Sequence, residues 1–108
     1  MTGRERLQEF PVSQRLRLAF IDHCLSTVGG VNRSDLISAF GISAPAASMD
    51  LTRFSELFSW RILYDPREKR YRPRHQGPSA FTNREMKIAF DVADAFVRGM
   101  HLTIQGAK

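Results

Sequence analysis

A single cysteine, Cys24, stands among 108 residues, so no disulfide can close within the chain. No N-terminal apolar stretch reads as a signal peptide, and with the lone thiol this predicts a cytoplasmic protein. No apolar run approaches the ~20 residues that a membrane helix needs, so no membrane partner is expected. His23, His75 and His101 are scattered and, with only one cysteine in the chain, lack metal-ligand spacing. There is no glycine-rich phosphate loop, no recognisable pair of catalytic carboxylates and no Ser/His/Asp pattern. No metal, cofactor, small-molecule ligand or enzymatic activity is expected. Repeats and low-complexity tracts are missing too.

What the chain does have is basic charge in one place. Sixteen Lys and Arg oppose eleven Asp and Glu, a net +5, and the isoelectric point is near 10.1. Residues 59–75 alone carry +4, while 1–31 carry +1, 32–58 carry −1 and 76–108 carry +1. That favours a polyanionic partner. At this length, with 43% hydrophobic residues, one domain with a modest core is expected.

The stretch from 32 to 58 is the most informative. Asn32 is a good N-cap, and Leu36, Ile37 and Phe40 share one face of the helix that follows. Gly41 stops that helix, because glycine enters the left-handed conformation without steric cost. Ser43 caps the next one at once, with Pro45 in its first turn. Ala47, Leu51, Phe54 and Phe58 then recur at helical spacing, giving a second buried face. Two helices joined this tightly must cross steeply, which is the helix-turn-helix arrangement.

Around this unit the pattern predicts a winged helix. The first dozen residues form a polar extension whose Leu7 and Phe10 can dock on the body. A helix from Ser13 to about Thr27 carries Leu18, Ile21, Leu25 and Val28 as its apolar stripe, with Arg15, Arg17 and Asp22 on the wet side. After the connector Ser59-Trp60-Arg61, Ile62 to Tyr64 reads as a strand, Asp65 to Glu68 as a turn and Lys69 to Arg72 as the return strand. A loop from residue 74 to 81 follows the domain at 13–73. Thr82 and Glu85 form a capping box for a last helix that runs to about Arg98, before Gly99, within a C-terminal segment at 82–108. Its apolar arc is broad, and Met86, Phe90, Ala93, Phe96 and Val97 are expected to meet a second subunit. The fold class is mainly α with a small β-hairpin: a winged helix-turn-helix plus a C-terminal dimerisation helix.

The second helix of the pair turns Pro45, Met49, Thr52 and Glu56 outward, flanked by Ala46, Ser48 and Arg53. Ser43, Ala44, Pro45, Ala46, Ser48, Met49, Thr52 and Arg53 are therefore the candidate base-facing residues of a major-groove helix. Asn32, Arg33 and Ser34 sit at a helix N-terminus suited to phosphates. Arg67, Lys69, Arg70 and Arg72 of the hairpin would track the backbone or enter a minor groove. This is a poor set for direct readout, so DNA shape and half-site spacing should carry much of the specificity.

Each assignment has a plainer counterpart. Asn32 and Ser43 cap helices with or without DNA, and Arg53 can pair with Asp50 or Glu56. A basic hairpin can be a solvated edge that resists aggregation, and the last helix can simply complete the monomer core. Cys24 fits a small core residue better than a nucleophile.

Val31-Asn32-Arg33-Ser34-Asp35-Leu36-Ile37, Phe40-Gly41-Ile42-Ser43, Pro45, Ala47-Ser48, Asp50-Leu51, Leu63-Tyr64-Asp65 and Lys69-x-Tyr71 together resemble the N-terminal winged helix of WYL-domain transcriptional regulators. The likeness, over roughly residues 13–82, is strongest to the BrxR/CapW group of phage-defence repressors. It implies a homodimeric repressor of the bacterial nucleoid that binds an inverted repeat in a promoter. Ala46 stands where a glutamine often follows the proline, which removes one base-reading side chain. The sequence stops before any WYL domain; it is a standalone short relative or an excised domain, and the last helix favours the former. The expectation is a sequence-specific repressor on double-stranded DNA. A winged-helix protein-interaction module and a weakly selective architectural DNA binder are the alternatives.

Overall fold

The structure, a computed structural model, describes residues 2–74 and 78–106. Their elements are, in order, α1 (Gly3–Leu7), α2 (Val12–Thr27), α3 (Arg33–Phe40), α4 (Ala44–Leu57), β1 (Ile62–Asp65), β2 (Arg70–Pro73) and α5 (Asn83–Gly106). His75 and the rest of the loop core at 75–77 lie outside the described residues, as does the side chain of His101.

Local chemistry explains the helix-turn-helix. The Asn32 side chain accepts the Asp35 N–H at 3.1 Å while Asp35 accepts the Asn32 N–H at 2.9 Å, a reciprocal cap that opens α3. Gly41 closes it at φ 66, in the left-handed region. Ser43 then caps α4 by accepting the Ala46 N–H at 3.2 Å. Leu36, Ala47, Leu51, Phe54 and Phe58 are all buried, and they meet Leu18, Ile21 and Leu25 of α2 in one core. β1 and β2 pair antiparallel, with Tyr64 opposite Tyr71 and Asp65 opposite Arg70. Val31 and Tyr71 exchange backbone hydrogen bonds of 2.9 and 2.8 Å, which ties the hairpin to the approach to α3. This is a winged helix-turn-helix, mainly helical with one two-stranded hairpin.

Several boundaries and faces differ from the sequence expectation. The N-terminal extension contains α1, held by buried Leu7 and by Arg4, which bonds both Glu85 oxygens. Val28, expected in the apolar stripe, is the C-cap of α2 and 70% exposed. Asp22, expected on the wet side, is fully buried: it accepts Arg61 Nε at 2.6 Å and the Phe81 N–H at 2.8 Å. Its charge is tolerated inside because those donors satisfy it. Lys69 belongs to the turn instead of the return strand, with φ 54. The last helix passes through Gly99 to Gly106, since one interior glycine costs a helix only about 1 kcal/mol. No helix among the described residues is long and apolar enough to cross a membrane.

Candidate nucleic-acid interface

Helix α4 is held from behind and open in front. Behind it, Asp50 is buried and bonds Arg17 and Gln14 of α2. In front, Ser43, Ala44, Pro45, Met49 and Thr52 are exposed, and Ala46, Ser48 and Arg53 are partly so. The molecule's own interior does not cover this forward side.

The two flanks of α4 differ. On one, Arg53 lies 5.8 Å over the Phe10 ring and pairs with Glu56 at 3.4 Å. On the other, Ser48 and Thr52 border a cleft of about 410 Å³, closed by Asn32 and Arg33 at the start of α3 and by Tyr64 and Lys69 of the hairpin. Arg33 Nη1 reaches Ser48 Oγ at 3.5 Å across the two helices. Asn32 is committed to its cap and also accepts the Ser34 hydroxyl at 2.6 Å. Tyr64 is half-exposed here and meets Tyr71 edge to face at 5.0 Å. Sequence reasoning missed Tyr64 as an interface residue; a tyrosine in the strand beside a basic turn was the available signal.

The hairpin's charge is divided. Asp65 organises the turn: its Oδ1 accepts the Arg67 N–H at 2.9 Å and the Glu68 N–H at 3.3 Å, and its Oδ2 accepts Arg72 Nε at 3.0 Å. The Glu68 N–H, then the Arg67 N–H and Arg72, hold its carboxyl below the ordinary 3.8 despite some desolvation. Arg72 also pairs with Glu68 at 2.9 Å. Arg70 turns away from the cleft, its guanidinium lying against Gly30, where an added Cβ would come 2.5 Å from Nε. Arg74 donates to the Ser59 and Ile62 carbonyls, and Arg61 is buried on Asp22. Of the six cations in 59–75, Arg61, Arg72 and Arg74 are bonded within the chain, Arg70 is packed against Gly30 with its buried Nε unpartnered, and Arg67 and Lys69 stand exposed.

On α5, Met86 and Ala93 are buried in the chain's own core, and the Phe96 ring packs over Gly41. Phe90, whose ring is 4.9 Å from that of His23, and Val97 keep open faces, as do Ile88 and Val92. The structure brings the proposed dimer residues onto one helix but not onto one free surface. Cys24 is buried, and burial first, then Asp35, pushes its thiol up to about 12 against the pull of Arg70. Among the described residues no cluster of three or more His, Cys, Asp or Glu could hold a metal ion.

The family model described as the BrxR transcriptional regulator winged helix-turn-helix domain matches residues 13–95. A DNA-binding transcriptional repressor CapW from Pseudomonas aeruginosa is 37% identical over 78 residues, 72% of this chain and 26% of that protein. Repressors of the same name from Stenotrophomonas maltophilia and Escherichia coli are 47% and 44% identical over 58 and 59 residues, 54% and 55% of this chain and 19% and 20% of theirs. The chain thus spans about a quarter or less of the length of these curated relatives.

Proposed function

Because this chain belongs to the family of BrxR transcriptional regulator winged helix-turn-helix domains, we propose that it binds double-stranded DNA and represses transcription by occupying a promoter. The observation that carries this reading is the open forward side of α4, from Ser43 to Thr52, with a cation-bordered cleft along one flank. Ser48 and Thr52 would hydrogen-bond base edges, and Ala46 and Met49 would touch thymine methyls. Arg33, with the N–H groups that open α3, would hold phosphates. Repression of this kind requires no chemistry, only exclusion of polymerase.

The finer reading is a homodimer on an inverted repeat, in the promoter of a phage-defence operon. Ile88, Phe90, Val92 and Val97, each between 40% and 48% exposed, supply apolar surface for a second copy. The names of the relatives, DNA-binding transcriptional repressors, support the function but not this assembly.

A salt-dependent gel shift on the chain's own upstream region against scrambled DNA tests the reading. A stronger shift on the upstream probe is the expected result. Equal shifts would reduce it to architectural binding, and no shift on either probe at low salt would leave a protein-interaction module.

A further inference from the structure

We propose that the hairpin clamps one backbone phosphate beside the major groove instead of probing the minor groove, with Lys69, Arg33 and the Tyr64 hydroxyl as the groups that hold it. This rests on the DNA-binding reading above and specifies how that site works.

Convergence is the first argument. Arg33 comes from α3, Lys69 from the turn and Tyr64 from β1, yet all three border the cleft alongside Thr52. Two cations and a hydroxyl donor around one opening suit a phosphate, which accepts several hydrogen bonds at once. Their platform is rigid: Tyr64 leans on Tyr71, and Tyr71 is fixed to Val31 by two backbone bonds.

Strain is the second. Lys69 has φ 54, the only described non-glycine residue at positive φ. An L side chain enters that region at a steric cost that glycine or asparagine largely avoids. Such strain gathers at functional positions, where the side chain must be aimed. Here it aims a lysine into the cleft.

The third is what the hairpin withholds. An arm that enters the minor groove carries its polar or cationic side chains on an extended segment that can follow the groove. Arg72 is spent on Asp65 and Glu68, and Arg70 is folded against Gly30. The one exposed arginine of the hairpin, Arg67, sits on a short turn that Asp65 curls back through two backbone N–H bonds, and not on an extended arm.

The test is quantitative binding of the full chain to a mixed-sequence duplex of about three helical turns, between about 50 and 200 mM salt. Lys69→Asn should weaken binding about tenfold at the low end and reduce the log–log salt slope by about one. It should melt no lower than the parent, because asparagine accepts the left-handed backbone. Tyr64→Phe, which keeps the ring contact, should cost about threefold. Lys69→Arg should restore the slope. A minor-groove-filling polyamide should leave binding intact. The clamp is wrong if Lys69→Asn binds like the parent, if the polyamide displaces the protein, or if Arg67→Ala costs more than Lys69→Asn. Failure of the parent to bind any duplex would overturn the DNA reading, and the clamp with it, before any substitution is compared.

Discussion

Asp50 of α4 takes the Arg17 guanidinium of α2 on both carboxylate oxygens, Nε to Oδ2 at 2.5 Å and Nη2 to Oδ1 at 3.3 Å. Gln14 adds a bond of 3.2 Å to Oδ1. The pair fixes the rotation of α4 about its axis, and that rotation decides which residues face outward. Asp50→Ala should leave a largely buried guanidinium without its acceptor and cost about 3 kcal/mol. Urea unfolding should show it as a lower midpoint at unchanged slope. Asp50→Leu with Arg17→Met should recover much of the loss, since the unpaired charge would be gone. A single substitution within about 0.5 kcal/mol of the parent would mean the pair adds nothing.

Gly41 joins α3 to α4 and also seats α5. An added Cβ would sit 2.6 Å from the Phe96 ring, in a residue already at φ 66. Gly41→Ala should therefore cost about 2 kcal/mol, from the left-handed backbone and from overpacking. Trimming the ring should relieve the second part only. The double substitution Gly41→Ala with Phe96→Ala should lose less than the sum of the single losses in a thermal-melt cycle. Strict additivity would show that the ring and the turn do not press on each other.

Acid should loosen the chain at two identifiable places. Burial raises the Glu85 carboxyl, but the Thr82 N–H and Arg4 outweigh it and leave it below its ordinary 4.5. A carboxylate depressed in the folded state contributes stability above its unfolded value and loses it as pH falls through the folded one. Melting temperature should therefore start to drop below about pH 4.5, with Arg4 and α1 released first. Glu85→Gln should flatten that part of the profile. Asp65, held below 3.8, follows the same sign at lower pH and would release the hairpin turn. A profile identical in Glu85→Gln and parent would exclude the Arg4 link as a contributor.

Much of this fold was legible from short-range chemistry. Asn32, Gly41, Ser43, Pro45 and the Thr82–Glu85 box announced their helix ends because caps and turns depend on neighbours a few residues away. The buried face of α4 followed from apolar spacing alone. What stayed hidden was pairing over distance. Asp22 and Arg61 are 39 residues apart, so periodicity saw two polar residues and placed Asp22 in water. The hairpin cations likewise looked equivalent in sequence, yet Asp65 and Glu68 of the same hairpin hold Arg72, and packing against distant Gly30 draws Arg70 aside, which leaves Arg67 and Lys69 exposed. The conformation of Lys69 carried no sequence signal, because glycine or asparagine would have been the expected residue.

The flanks of α4 should behave differently under substitution. Thr52 is exposed beside the cleft and can meet a base edge. Thr52→Ala should change the ranking of related binding sites by about 1 kcal/mol at one position. Arg53 is drawn sideways by Glu56 and Phe10, where a phosphate is the nearer target. Arg53→Ala should weaken all sites alike and lower the salt slope by about one. A binding-site selection on the two variants would separate these outcomes; a changed motif for Arg53→Ala would put that side chain in the groove.

Assembly can be tested without destroying the domain. Removing everything after Phe81 is unsuitable, because Met86, Ala89 and Ala93 complete the core. Substitutions at the open apolar positions avoid this. Ile88 and Val92 lie one turn apart on one flank of α5, while Phe90 and Val97 lie together on the other. A two-fold contact would use one flank of each copy, and burying a pair of half-exposed side chains contributes roughly 1–2 kcal/mol per subunit. A charge placed there should cost more than that, since it must be desolvated without a partner. Either Ile88→Glu with Val92→Glu, or Phe90→Glu with Val97→Glu, should therefore convert a dimer to a monomer in sedimentation, with little change in melting of the isolated subunit. The disrupted species should also need more protein to shift an inverted repeat but not a single half-site. A parent chain that sediments as a monomer at concentrations that saturate its DNA would remove the two-fold operator and leave a single-copy binder.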